Sequence, residues 1–151
     1  MLRNWGMTRK LTVLAALVLA TAGVAHAQSM DVIETRQAGQ DVFAGTFAGI
    51  RAVVAAKGDV KTLENPAKYM ARWIKQFPTL FPKGSEQGHN TKALPAVWSD
   101  MAGFEKIANE SADASTKLAE LAKAGDAAGV EAQVKVLGDT CGTCHRTYRA
   151  R

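Results

Sequence analysis

The sequence predicts an all-α protein, an antiparallel four-helix bundle. Apolar residues recur at intervals of three and four along four segments, which is the spacing of one helix face. Most links between these segments are short, which favours antiparallel neighbours. No alternating apolar and polar pattern typical of strands competes with this interpretation.

The first two predicted helices precede residue 82. The first ends at Lys57–Gly58–Asp59, and the second begins at Asn65–Pro66, where asparagine is a good N-cap and proline is tolerated in the first turn. Pro78 and Pro82 end the second helix, and residues 82–92 form a polar loop. The residues predicted to face the core are Val32, Arg36, Gly39 or Gln40, Phe43, Phe47, Ile50 and Val54 in the first helix, and Met70, Trp73 and Phe77 in the second.

The last two predicted helices have the most regular spacing. Gly125 is a natural stop for the third helix, and Asp126 is a natural N-cap for the fourth. The inward positions are Leu94, Val97, Met101, Phe104, Ala108, Ser111, Ser115, Leu118 and Ala122 in the third helix, and Val130, Val134, Leu137, Cys141, Cys144 or His145, and Tyr148 in the fourth.

Residues 1–27 have the three-part layout of a secretory signal peptide. Three basic residues precede an apolar run, and Ala25–His26–Ala27 has the small-x-small form of a cleavage site. A membrane anchor is the alternative, but the apolar run Leu11–Ala25 is shorter than the roughly 20 residues that a bilayer span needs. We therefore predict export to a bacterial periplasm and a mature domain of residues 28–151, with no membrane association after cleavage.

Removal of that signal lowers the formal net charge of the chain. Residues 1–27 carry three of the 19 basic residues and none of the 14 acidic ones, so the charge falls from +5 to +2. The mature chain keeps no basic block and no basic stripe interleaved with aromatic residues, which argues against nucleic-acid binding.

The only two cysteines lie in the motif Cys141–Gly142–Thr143–Cys144–His145. In an oxidising compartment they could form a disulfide or a thioredoxin-like redox pair, but the motif lies in a helical segment near the C-terminus and ends in histidine. A zinc site would need further ligands, and the only other histidine of residues 28–151 is His89, in the predicted loop. Neither alternative uses every residue of the motif.

Covalent attachment of one haem c uses both cysteines and the histidine of this motif. Cysteines at i and i+3 project from nearly one face of a helix, so both sulfurs can reach the two vinyl groups of one porphyrin. His145, four residues after Cys141, places an imidazole at the iron and is the predicted metal ligand. Since the haem would fill the bundle core, we expect that replacing either cysteine leaves a poorly folded chain.

Four segments resemble the cytochrome c′ family, and the resemblance extends over residues 30–151. The segments are Thr35–Ala38, Leu94–Asp100, Ala124–Asp126 and Cys141–Arg149. The resemblance implies a four-helix bundle, often a homodimer through the first two helices, with a five-coordinate high-spin haem. His145 would bind one face of the iron, and no protein ligand would bind the other.

The resemblance also implies roles for single residues. Arg36 matches an arginine near a haem propionate, with Gln37 beside it, although the arginine could instead extend to the end of the bundle. Trp98 matches a tryptophan packed in the bundle, which is also its simplest role. Arg149 matches the basic residue beside the axial histidine, on the face where nitric oxide can displace that ligand. Tyr148, from the same motif, completes the predicted haem contacts.

Gln40 departs from the pattern of the family. It occupies the position over the open iron face where the family usually has a bulky apolar residue. Its amide could donate a hydrogen bond to a bound ligand or to a distal water. In the alternative arrangement, the helix is rotated so that Phe43 covers the iron and Gln40 points to a propionate or to the dimer partner.

These features predict gas binding rather than catalysis. We expect a periplasmic haem protein that binds nitric oxide or carbon monoxide, and no general acid, base or nucleophile constellation indicates a catalytic site. Electron transfer stays open, and the sequence does not indicate a redox partner. The main alternative is a low-spin electron carrier with a methionine ligand, although Met30, Met70 and Met101 are poorly placed. A metal-delivery protein that uses the motif as a metal clip is the remaining alternative.

Overall fold

A computed structural model describes residues 32–151, so the predicted signal peptide and Met30 lie outside the described residues. The described chain is helical, and its only β-type pairing is an isolated bridge between Ala93 and Arg149. Its elements are α1 (residues 32–55), a 3-10 turn (Val60–Leu63), α2 (Glu64–Gln76), a second 3-10 turn (Phe77–Leu80), the single turn α3 (Ala96–Ser99), α4 (Met101–Ala124) and α5 (Ala127–Tyr148).

Helices α1, α2, α4 and α5 form the predicted antiparallel four-helix bundle. Helix α1 contacts α2 where Gly39 lies against the Trp73 ring, and it contacts α5 where Phe47 approaches Gly138. Between α4 and α5, the side-chain amide of Gln133 donates to the carbonyl of Ala114 at 2.9 Å. The predicted fold class is therefore confirmed.

The junction between α4 and α5 follows from two adjacent residues. Gly125 adopts a left-handed conformation with φ 75°, which a residue without a Cβ accepts at little cost. Asp126 then caps α5, since its carboxylate accepts a hydrogen bond from the Gly129 amide at 2.9 Å. Both predicted boundaries are confirmed.

Two other predicted boundaries are wrong. Helix α2 begins at Glu64 rather than after an Asn65 cap, because the preceding 3-10 turn leads the chain directly into the helix. The predicted third helix is interrupted at Asp100, whose backbone angles of φ −133° and ψ 54° separate α3 from α4. The apolar spacing continues across this break, so the break is not visible in the periodicity.

The core consists of two groups of buried side chains. The first, the aliphatic cluster, joins the four helices through Phe43, Ile50, Val60, Leu63, Ala67, Met70, Ile74, Ala108, Ala112, Ala114, Leu118, Ala119, Ala122, Val130 and Leu137. The second, the aromatic cluster, contains buried Phe81, Val97, Phe104 and Tyr148, with Phe77 and Trp98 packed against them.

At the N-terminal end of α1, the buried residue differs from the predicted one. Ile33 is fully buried, whereas the predicted Val32 is only half-buried. The serines predicted to face inward are buried, and Ser115 satisfies its hydroxyl by donating to the carbonyl of Ser111 at 2.8 Å. None of the described helices is long and apolar enough to cross a bilayer.

Candidate cofactor site

A cavity of about 760 Å³ lies between α1 and α5, and side chains of α2 and α4 complete its walls. This volume is in the range of cofactor sites, roughly 300–1,000 Å³, and most of the lining is apolar. Its α1 wall consists of Arg36, Gln37, Gln40, Asp41, Phe43, Ala44, Phe47, Ala48 and Arg51, and its α5 wall consists of Thr140, Cys141, Cys144, His145, Tyr148 and Arg149.

The cysteine–histidine motif lies on the cavity face of α5. The helix runs without a break through the motif, so Cys141, Cys144 and His145 occupy successive positions on one side and all three line the cavity. Both thiols are half-buried and free of a disulfide. Thr143, between them, is exposed and donates its hydroxyl to the carbonyl of Asp139 at 2.9 Å.

Burial raises the pKa of both thiols. For Cys144, burial and the neighbouring Cys141 raise the pKa to about 11, and burial is also the main cause of the raised pKa of Cys141. A redox-active dithiol needs a thiolate, which is favoured by a lowered pKa. These two thiols are therefore suited to an apolar partner more than to thiol–disulfide exchange.

Burial shifts the pKa of His145 in the opposite direction from that of the thiols, but it again favours the uncharged form. Burial, and then the charge of Arg149, lower the pKa of His145. The lowered pKa favours the neutral imidazole, which keeps a nitrogen lone pair for a metal ion.

On the α1 wall, Gln40 and Phe43 both line the cavity. They are three residues apart on one helix, so they lie on neighbouring positions of the same face. Phe43 is buried and belongs to the aliphatic cluster, whereas Gln40 is half-buried. The two side chains predicted as alternatives at the iron therefore share this wall.

Arg36 is buried and points inward from α1. Its Nη1 donates to the carbonyl of Leu80 at 3.1 Å and to Ser85 Oγ at 2.9 Å. Its Nη2 donates to the carbonyl of Ser85 at 2.8 Å and to Thr91 Oγ1 at 3.0 Å. The guanidinium also lies 4.3 Å from the centroid of the Phe81 ring. Because these hydrogen-bond acceptors are all neutral, a nearby anion such as a propionate would further stabilise the buried charge.

The loop of residues 82–92 packs against α1. Gln37 Nε2 donates to the carbonyl of His89 at 2.9 Å, and His89 Nδ1 lies 3.2 Å from Glu34 Oε1. Left-handed backbone conformations at Gly88, His89 and Asn90 turn the chain back toward the bundle. Arg36 and Gln37, the two residues predicted near a propionate, thus line the cavity and at the same time hold this loop.

Trp98 does not line the cavity. It packs behind Phe81, with ring centroids 5.7 Å apart, and its indole N–H donates to the carbonyl of Pro82 at 3.2 Å. These contacts assign Trp98 to packing of the aromatic cluster, the simplest of its predicted roles, whereas Phe81 does line the cavity.

The end of α5 brings the remaining predicted residues to the cavity. The Tyr148 ring packs edge-on against Phe104, with centroids 5.1 Å apart. Arg149 continues from the helix into the bridge with Ala93. Both Tyr148 and Arg149 line the cavity.

Two cationic residues of the cavity were not predicted from the sequence. Lys92 lines it because the Ala93–Arg149 bridge brings the end of the loop beside α5. Arg51 lines it from α1, one turn after Phe47. The spacing of Arg51 on the α1 face was a signal that could have identified it, whereas the position of Lys92 depends on a contact distant in sequence.

The residues present fit a haem. The apolar walls can take a flat macrocycle, the two half-buried thiols can bond to it, and neutral His145 can bind its iron. Its two carboxylates require cations, and the cavity has four, from Arg36, Arg51, Lys92 and Arg149.

Comparisons with known proteins agree with this site. Residues 31–149 match the family model described as Cytochrome C′. A cytochrome c′ from Rubrivivax gelatinosus is 35% identical over 123 residues, which cover 80% of this chain and 95% of that protein. A solved cytochrome c′ with ligand-controlled dimer dissociation has a TM-score of 0.76 and 28% identity, covering 82% of this chain and 97% of the other. The nitric oxide complex of a leucine-to-isoleucine variant of cytochrome c prime from Alcaligenes xylosoxidans has a TM-score of 0.73 and 26% identity. It covers 82% of this chain and 97% of the other.

Proposed function

The chain belongs to the cytochrome c′ family, and we propose that it binds nitric oxide and carbon monoxide at a five-coordinate, high-spin haem. Members of this family carry a covalently bound haem c, and Cys141 and Cys144 are the only cysteines that can attach it here. One observation supports the proposal most strongly. Of the described residues that line the cavity, His145 is the only histidine and none is a methionine.

The methionines of the described residues lie elsewhere. Met70 is fully buried in the aliphatic cluster, and Met101 packs against the aromatic cluster. Their positions suit packing, which is the usual role of a core methionine. Among the described residues, this distribution argues against Met70 or Met101 as an iron ligand.

When bound, the haem iron supplies one open coordination position for a diatomic ligand. On the α1 wall, Phe43 and Phe47 exclude water from that space, because both present apolar rings to the cavity. We propose that the Gln40 amide donates a hydrogen bond to the ligand, which an apolar residue at the same position could not do. Gln40 thus stabilises a bound ligand, while the two phenylalanines restrict its space.

On the α5 wall, His145 is the proposed axial ligand and Arg149 its charged neighbour. Burial, and then the charge of Arg149, lower the pKa of His145, so both favour the neutral imidazole. We propose that Arg149 stabilises a released imidazole or a ligand bound on that face. We assign no catalytic activity to the protein.

We further propose that the protein is a homodimer through α1 and α2. The outward face of α1 consists of exposed small or apolar residues, among them Ala38, Val42, Gly45 and Gly49, and Val42 is 55% exposed. Small residues allow two helices to approach closely, and a similar solved cytochrome c′ forms a dimer. We expect Val42→Asp to yield a monomer in analytical ultracentrifugation, whereas Val136→Asp, at a comparably exposed position on α5 (48%), leaves the dimer intact. A dimer that persists in both variants would contradict this interface.

We place the protein in the periplasm, because residues 1–27 have the layout of a cleavable signal. Electron transfer is a further proposed property of the same haem, with a redox partner that is not identified. N-terminal sequencing of the exported protein tests the location, and we expect it to begin at Gln28.

Visible absorption spectra of the oxidised and reduced protein test the proposed function. We expect broad high-spin bands and a clear spectral shift when carbon monoxide is added to the reduced protein. Sharp low-spin bands that do not respond to carbon monoxide would contradict the proposal and would favour the electron carrier.

A further inference from the structure

The hydroxyl of Tyr148 donates a hydrogen bond to Asp100 Oδ2 at 2.7 Å. The two residues are 48 positions apart, so the bond joins the C-terminal end of α5 to the N-terminal end of α4. The other carboxylate oxygen, Asp100 Oδ1, accepts from the Gly103 amide at 3.1 Å. Asp100 therefore caps α4 and holds the end of α5 with one side chain.

Gly103 leaves room for this arrangement. A Cβ at position 103 would overlap Asp100 Oδ2 and would lie 2.6 Å from the Tyr148 hydroxyl. Gly103 has an ordinary helical backbone, so its conformation does not require glycine. Glycine is needed at this position because the Asp100 carboxylate and the Tyr148 hydroxyl lie too close for a side chain. The capping carboxylate, the tyrosine and the glycine thus form one unit, the Asp100–Tyr148 tether.

The tether acts on the turn of α5 that carries the proposed haem ligands. Tyr148 follows Cys144 by four residues and His145 by three, so the three lie on one face of the helix and all line the cavity. The last turn of a helix has unpaired carbonyl groups and frays readily. Here the Tyr148 carbonyl accepts from the Leu94 amide at 2.9 Å, and the Ala150 amide donates to the carbonyl of Lys92 at 2.8 Å. Among the described residues, the bond to Asp100 is the only side-chain hydrogen bond of Tyr148, and it supplements these two backbone bonds.

The bond is also strong for a tyrosine. Hydrogen bonding to Asp100 is the largest cause that raises the pKa of Tyr148, to about 12. The phenol therefore stays protonated and keeps donating to the carboxylate throughout the neutral and moderately alkaline range. A hydrogen bond to a charged acceptor contributes more than one between neutral groups.

We propose that Asp100 and Tyr148 are positioning residues that hold the His145 turn of α5 at the cavity and thereby strengthen the axial bond of His145. This inference rests on the proposed function, because it concerns the histidine proposed as the axial ligand. Neither Asp100 nor the Tyr148 hydroxyl binds the iron, and both act through the backbone of α5. Without the tether, the His145 turn opens more often and the imidazole is held less firmly.

Three single variants of the haem-loaded protein test the tether. Tyr148→Phe removes the hydroxyl and keeps the ring against Phe104, and Asp100→Ser keeps an N-cap residue but is too short to reach Tyr148. Tyr69→Phe, at the only other tyrosine, is the matched control. The two readouts are amide hydrogen exchange of residues 141–149 and the iron–imidazole stretching band in the Raman spectrum of the reduced protein.

We expect exchange in residues 141–149 to be about tenfold faster in Tyr148→Phe and in Asp100→Ser, which corresponds to loss of one hydrogen bond to a charged acceptor. We also expect the iron–imidazole band to move to lower frequency in both, with Tyr69→Phe unchanged. Exchange and a band identical to those of Tyr69→Phe would overturn the inference. A low-spin wild-type protein that does not bind carbon monoxide would instead reject the proposed function, and the exchange comparison would still decide whether the tether holds α5.

Discussion

The two walls of the cavity are built differently. The α5 wall has its thiols and imidazole within five consecutive residues, and its end is held by the Asp100–Tyr148 tether and by backbone bonds to residues 92–94. The α1 wall consists of side chains spaced one turn apart, with its hydrogen-bonded anchors Arg36 and Gln37 at one end. The comparison indicates that α5 determines how the cofactor is held, and that the residues of α1 determine which ligand the open face accepts.

The largest effect is expected at the α5 wall, from Cys144→Ser. Loss of one attachment leaves the large apolar cavity poorly filled, and an unfilled cavity costs stability in proportion to its volume. We expect little folded protein to accumulate in periplasmic extracts, measured by immunoblotting of the soluble protein alongside haem staining. Thr143→Ser, at the exposed position between the cysteines, should accumulate normally. Normal amounts of folded, haem-free Cys144→Ser protein would contradict this account.

A smaller effect is expected where α1 packs against α2. A Cβ at Gly39 would overlap the rigid, half-buried ring of Trp73, so Gly39→Ala should displace α1 and lower the free energy of unfolding by about 1–3 kcal/mol. At Gly45 a Cβ meets nothing within 4 Å. When both variants are made in the Val42→Asp background, which removes the proposed α1 dimer contact, Gly45→Ala should therefore raise stability by about 0.5–1 kcal/mol, as expected for an open helical position. Chemical denaturation of the two variants measures the difference, and equal effects of the same sign would show that the helices do not approach closely at Gly39.

Gln40→Leu is expected to have the smallest effect on the fold. Its effect on ligand binding should nevertheless be specific. Loss of one hydrogen bond should speed carbon monoxide or nitric oxide dissociation by about 2- to 10-fold, with unfolding stability nearly unchanged. The iron–ligand stretching frequency should also change. Gln76→Leu, the same substitution at an exposed residue of α2 outside the cavity, is the control. Rates and frequencies equal to the wild type would assign Gln40 no part in ligand binding.

Much of the fold could be predicted from local patterns. The regular spacing in α4 and α5 and the pair Gly125–Asp126 act within a few residues, so their outcome is visible in the sequence. The break at Asp100 was missed because the apolar face continues through it. The start of α2 was missed because a 3-10 turn precedes it and replaces the expected Asn65 cap.

The residues of the site also fall into two groups, those set by local sequence and those set by contacts distant in sequence. The attachment motif is local, and its three residues meet at the cavity as a helix requires. The acceptors of Arg36 in residues 80–91, the presence of Lys92 at the cavity and the Asp100–Tyr148 bond all join positions more than 40 residues apart. Such contacts depend on how the loop and helices pack, which the periodicity does not specify. For the same reason the sequence does not specify that Trp98 packs behind Phe81.

A crystal structure of the reduced protein with carbon monoxide tests the central claim most directly. The account predicts that the iron is bound by His145 on the α5 side, and that carbon monoxide lies on the α1 side in contact with Gln40 and Phe43. A methionine or another protein side chain bound to the iron on the α1 side, with no carbon monoxide there, would contradict it.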